Sequence, residues 1–168
     1  MAPKKNLSEL ISQAVMATRI AVIRETKDIF KSTERRLYAY PVIKLKIQDD
    51  GERIEEIREH GAPGKSKSIL KYQRSGARLT PEEISDALIQ DITAEIAANE
   101  HEIETIDKAL DIISGDSYAE IIKYKYFEGK SDDEISESMS CDPSTVRRNK
   151  SRLVGKISVF LYGVSAIT

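Results

Sequence analysis

Cysteine, histidine and tryptophan are nearly missing from this 168-residue chain. A single cysteine, Cys141, excludes a disulfide framework and a cysteine-cluster zinc site. The two histidines, His60 and His101, have no neighbouring partner set for a metal centre or for acid–base chemistry. Tryptophan is absent and aromatics make up only 6% of residues, which argues against a β-sandwich with a large aromatic core. Long apolar runs are also lacking. The densest, Leu7 to Ile23, has 11 apolar residues in 17 but carries Glu9, Gln13 and Arg19, too short and too polar for a membrane span. The start, Met1-Ala2-Pro3-Lys4-Lys5, leads into no secretory core. No phosphate-binding glycine loop or nucleophile elbow occurs. Asp132 and Asp133 read as complements of a helix dipole, and Cys141 as a turn-packing residue. The expectation is therefore a cytoplasmic protein that is not an enzyme: no catalytic residue, cofactor, metal, small-molecule substrate or membrane partner.

What the chain does have is charge, 32% of its residues, unevenly spread. The net value of −2 hides strong local excesses. Residues 61–80 hold five cations and no acid, and residues 81–116 hold 11 acids against Lys108 alone. Residues 143–168 hold Arg147, Arg148, Lys150, Arg152 and Lys156 and no acid.

The apolar pattern is helical throughout, with no sustained alternation. Four segments are expected. Residues 1–60 form a helical arm, capped at Asn6 and kinked or restarted at Pro41. Gly61-Ala-Pro-Gly-Lys-Ser-Lys-Ser opens a basic linker over 61–79. Residues 80–115 form a long acidic helix, opened by the capping box Thr80-Pro81-Glu82-Glu83 and stopped at Gly115. Its seam is Ile89, Ile92, Ile96, Asn99, Ile103, Ile106, Leu110 and Ile113. A parallel homodimer would set Glu95 against Glu100 and Glu102 against Asp107, so a basic cover fits better. The chain supplies one in Thr26 to Ile47, where Phe30, Thr33, Leu37 and Tyr40 share a face. The fold class is thus all-α: a long antiparallel helical hairpin or coiled-coil arm, followed by a C-terminal module over 116–168. Leu7–Ile23, apolar nearly all round, is the candidate surface for a homo-oligomer.

The C-terminal module reads as three short helices. The first is Ser117 to Phe127, stopped by Gly129; the second opens on the capping box Ser131-Asp-Asp-Glu134; the third starts at Asp142-Pro143. With Val146 as the first inward residue of the third helix, Ile135, Met139 and Cys141 fall on apolar positions of a helix-turn-helix core. Ser136 falls on its small-residue position, and Asn149 on a slot that is apolar in the motif. At about 100° per residue, the outward face of the third helix carries Ser144, Arg148, Ser151 and Gly155, flanked by Thr145, Arg147 and Arg152. Arginines and small hydroxyls without acids suit a helix that reads base edges in a major groove. The candidate DNA-binding residues are Ser144, Thr145, Arg147, Arg148, Lys150, Ser151, Arg152 and Lys156, with Lys150, nearer the inward side, as a phosphate contact at best.

Three stretches resemble phage-type transcriptional regulators of the ArpU/RinA kind. These are Lys31-Ser-Thr-Glu-Arg-Arg-Leu-Tyr-Ala-Tyr-Pro41, Ile106-Asp-Lys-Ala-Leu, and Tyr124-Lys-Tyr-Phe-Glu-Gly through Asp142-Pro-Ser-Thr-Val-Arg-Arg to Val159-Phe-Leu-Tyr-Gly163. The C-terminal part is similar to the helix-turn-helix of sigma factor region 4. The resemblance implies a double-stranded-DNA-binding regulator, an activator of phage or mobile-element genes, and a sigma-like contact with RNA polymerase. A structural or packaging adaptor, similar to a terminase small subunit, is the alternative.

Overall fold

The computed structural model describes residues 7–63 and 80–167, with side chains from Asp28 onward. The Asn6 cap, residues 64–79 of the expected linker and the apolar faces of Leu7–Ile23 lie outside the described residues. The fold is all-α. Helix α1 spans Leu7–His60 and α2 spans Pro81–Asp111. Helix α3, Glu120–Ile122, widens into a π-helical turn over Lys123–Phe127. Helices α4, Asp132–Ser138, and α5, Pro143–Tyr162, follow, and a 3-10 turn over Gly163–Ala166 closes the described chain.

Helix α1 runs on through Pro41, so no new helix starts there. The proline forfeits one amide bond and its ring crowds the preceding turn. Buried Leu37 and Tyr40 just before it hold the helical path. Tertiary packing outweighs the local penalty.

The chain forms two compact units, Met1–Tyr38 with Ile106–Thr168 and Ala39–Thr105. In the second, Ile54 and Ile57 of α1 pack against Leu88 and Ile92 of α2, with Ala62, Ile84, Ile89 and Ile96 around them. Burying four such side chains contributes roughly 6–12 kcal/mol gross. The Ala62 amide donates to Ser85 Oγ at 3.0 Å, joining the end of α1 to the start of α2. The Thr80 box is formed as expected. The Thr80 amide donates to Glu83 Oε2 at 2.7 Å, and the Glu83 amide to Thr80 Oγ1 at 3.2 Å.

The seam of α2 is wider than a heptad line. Ile92, Ile106 and Ile113 are buried, whereas Ile89, Ile96, Asn99, Ile103 and Leu110 are only half-buried. Leu88 and Ala109, which lie off the seam, are buried more deeply than those five. Such a broad stripe is what a helix against a globular core presents. The helix also ends at Asp111 rather than Gly115. Tight turns follow, with the Ile113 amide on the Leu110 carbonyl and the Ser114 amide on that of Asp111.

The first unit is built on α5. Helix α5 packs against α3 and α4, and α4 against the π-helical turn. Ile121, Ile135 and Val146 form a fully buried cluster, with Tyr118, Tyr124, Met139 and Cys141 packed on it. All four apolar positions expected for the helix pair therefore meet in one core.

Local chemistry explains the joints. Ser131 and Glu134 form a reciprocal capping box at the start of α4. At its end, the Cys141 amide donates to the Ser136 carbonyl at 3.0 Å and the Ser140 amide to that of Glu137 at 3.3 Å. This is a Schellman closure, and it puts Ser140 in the left-handed region at φ 51°. Pro143 is the first residue of α5, but the Asp142 side chain makes no cap bond. The Asp142 carbonyl instead accepts the Thr145 and Val146 amides in a tight first turn.

Candidate functional site

The first three turns of α5 present their outer side to solvent. Ser144, Arg147, Arg148 and Ser151 are exposed, and Thr145 and Gly155 are half-buried. Further along, one edge of that side is covered. Thr33 Oγ1 of α1 lies 2.7 Å from Ser158 Oγ in the buried interior. Ser32 Oγ lies 2.9 Å from the Tyr162 hydroxyl, and the Arg36 guanidinium stacks 5.7 Å from the Tyr162 ring centre. The Tyr126 hydroxyl donates to Glu34 Oε1 at 2.7 Å, and its ring meets Tyr38 edge-on at 4.7 Å. Burial, and then the Glu34 carboxylate, push the Tyr126 phenol far above its usual range. So residues 32–38 of α1 seat on the Ser158–Tyr162 edge of α5 and on the π-helical turn, while Val159 beside that edge stays exposed.

Asn149, the polar residue in an apolar slot, is 6% exposed, and both polar atoms of its side chain are hydrogen-bonded. Its Nδ2 donates to the Thr145 carbonyl at 3.0 Å. Its Oδ1 accepts from Arg152 Nε at 3.1 Å and Nη2 at 2.9 Å. Arg152 in turn grips Asp116 with two bonds, Nη1 to Oδ2 at 2.6 Å and Nη2 to Oδ1 at 2.8 Å. Asp116 Oδ1 also accepts the Tyr118 amide at 3.1 Å. Lys156 Nζ stands 3.5 Å from Asp116 Oδ2. The Arg152 hydrogen bonds and then the Tyr118 amide hold the Asp116 carboxyl well below the usual carboxylate range.

A second carboxylate organises the other flank. Asp132 lies 3.2 Å from Lys125 Nζ, 3.4 Å from Lys150 Nζ and 4.0 Å from Arg147 Nε. Burial raises its pKa, but the Lys125 hydrogen bond and the Lys150 charge outweigh that, and the group sits below its ordinary value. Lys150 is only 17% exposed at its side chain.

Thr145 is half-buried, and the other seven expected site residues fall into three groups. Ser144, Arg148 and Ser151 stand open along the centre, and Arg148 joins no ion pair among the described residues. Around the helix axis, Arg152 and Lys156 lie on one flank at roughly 40° and 80° from Arg148, drawn to Asp116. Arg147 and Lys150 lie on the other at roughly 100° and 160°, drawn to Asp132. Arg147 remains 65% exposed despite that neighbour.

Sequence reasoning missed Lys125, which the π-helical turn brings beside Lys150. It also missed the roles of Asp116 and Asp132. An acid at a helix start among distant bases was the only local hint for Asp132. Asp116 meets Arg152 across 36 positions, and no local pattern signals that.

Among the described residues, no group of three or more metal-ligating side chains could hold an ion. No helix of the described chain is long and apolar enough to cross a membrane. Comparison with protein-family models, curated proteins and solved structures finds no match.

Proposed function

We propose that this protein binds double-stranded DNA sequence-specifically through the amino-terminal half of α5, and regulates transcription from the bound site. The observation that carries this reading is the coincidence of Ser144, Arg147, Arg148 and Ser151 on one exposed, acid-free helical face. Arg148 is unencumbered and central, suited to bidentate hydrogen bonds with guanine. Ser144 and Ser151 are small enough to let the backbone approach and can bond phosphates or base edges. The rigid core of Ile121, Ile135 and Val146 holds the face in place. The ArpU/RinA-like stretches favour phage or mobile-element promoters as targets.

Charge sets the scale of the interaction. Over residues 116–167 acids and bases balance, eight of each. Asp133, Glu134 and Glu137 are exposed on α4, so that helix repels a phosphate backbone on its outer side. Affinity then rests on a few local contacts: Arg147, Lys156 and the Lys125–Lys150 pair as phosphate contacts at the flanks, and Arg148 at the base edges. A salt slope of roughly −3 to −4 is expected, at about −0.9 per neutralised phosphate.

The test begins by selecting bound fragments from the source genome with the full chain and sequencing them. Arg148→Ala is then titrated against the selected site. Relaxed preference at one base pair, with a loss of about 1–3 kcal/mol, is the expected outcome. If Arg148→Ala shifts the selected fragment as well as the wild type does, the assigned reading face is wrong. Failure of the wild type to bind any duplex at low salt would favour a protein–protein module instead.

A further inference from the structure

Resting on the DNA-binding reading above, we propose that Asp116 is a specificity-determining positioning residue that withholds Arg152 from the duplex. Arg152 lies only about 40° from Arg148 around α5. A free guanidinium there would reach phosphates of any sequence. Instead four of its five N–H donors are engaged within the chain, although the side chain is 40% exposed: Nε on Asn149, Nη2 on Asn149 and Asp116, and Nη1 on Asp116. Asp116 is fixed from its own side by the Tyr118 amide and is only 15% exposed at its side chain. The paired bonds of a planar guanidinium to a carboxylate are short and directional, and a phosphate would have to break both to compete.

The other cations near the face are held differently. Lys156 touches Asp116 at a single point, 3.5 Å away, and is half-exposed. An ammonium on a flexible stem exchanges a carboxylate for a phosphate readily. Asp116 thus separates two cations by geometry. The lysine stays available for the backbone, and the arginine is committed to aligning α5 on the 116–118 turn. Non-specific attraction stays low, and the discrimination left to Arg148 counts for more.

The experiment titrates three full-length variants, Asp116→Asn, Arg152→Gln and the double variant, against two probes over a series of KCl concentrations. The probes are a duplex selected by the wild type from a random pool and a scrambled duplex of the same length. Asp116→Asn is expected to bind the scrambled duplex about ten-fold more tightly at low salt. Its salt slope should steepen by about 0.9, as the released Arg152 reaches a phosphate. The ratio of selected to scrambled affinity should fall about ten-fold. Arg152→Gln should leave both slopes unchanged, and the double variant should match the wild-type slope, because no arginine is left to release.

An Arg152→Gln slope flatter by about 0.9 would place Arg152 on a phosphate and overturn the proposal. So would an Asp116→Asn protein with unchanged slope and ratio, while the wild type still prefers its selected duplex. Loss of all binding by the wild type overturns the DNA-binding reading itself, and this proposal with it. Should Asp116→Asn prove unfolded by circular dichroism, Arg152→Gln decides alone: an unchanged slope supports the proposal and a flatter one refutes it.

Discussion

Replacing Ser140 by glycine should make the protein more stable while leaving its binding face untouched. Ser140 occupies the left-handed region at φ 51°, forced there by the two backbone bonds that close α4. For a residue with a Cβ that conformation costs roughly 1–2 kcal/mol. Glycine removes the cost but loses more backbone entropy on folding, about 0.5–1 kcal/mol. The serine side chain is exposed, so nothing else is forfeited. The net gain is about 0.5–1 kcal/mol, which for a chain of this length raises the melting temperature by roughly 1–4 °C. Ser140→Val is the opposite control, because a β-branched residue in that region is strained further. Scanning calorimetry on the three proteins reads the effect. Glycine lowering the midpoint, or valine matching it, would refute the assignment of strain to this turn. Binding of Ser140→Gly to a selected duplex should equal that of the wild type, since neither Arg147 nor Arg148 depends on the Ser140 side chain.

Two further expectations concern buried and paired charge. The carboxyls of Asp116 and Asp132 are both held below their ordinary values in the folded chain. Such groups stabilise the fold above the unfolded carboxylate pKa of about 3.9, and that contribution is lost as pH falls through their folded values. Urea midpoints should therefore hold steady from neutral pH to about 5 and drop below about 4, with a shallower drop in Arg152→Gln. A midpoint insensitive to acid would contradict both pairings. In the other unit, Asp50 is fully buried, with Lys46 as its ion-pair partner and Oδ2 without a hydrogen bond. Asp50→Leu should raise the urea midpoint by the equivalent of about 1–3 kcal/mol, since it removes an unsatisfied buried oxygen and lets Lys46 return to solvent. A lowered midpoint would mean that the carboxylate contributes net stability where it stands.

Where one side chain meets its own neighbours along the helix or across a tight turn, the amino-acid sequence was enough. The capping boxes at Thr80 and Ser131, the proline opening α5 and the stop at Gly129 all satisfy amides or carbonyls within a few residues. The apolar set Ile135, Met139, Cys141 and Val146 was legible for the same reason, because a short turn leaves two helices few ways to bury one stripe each. Pro41 does not restart the helix, because its local penalty is set against burial of Leu37 and Tyr40, which no nearby residue announces. The outer face of α5 was also readable as a direction, from 100° steps away from Val146, Leu153 and Ile157. What that face can do was decided by tertiary structure alone. Asp116, Asp132 and α1 reach it from far along the chain, and an ion pair or a covering helix between remote segments leaves no periodic trace. Of the arginines and lysines that look alike in sequence, only the folded chain distinguishes the one standing open from those already occupied.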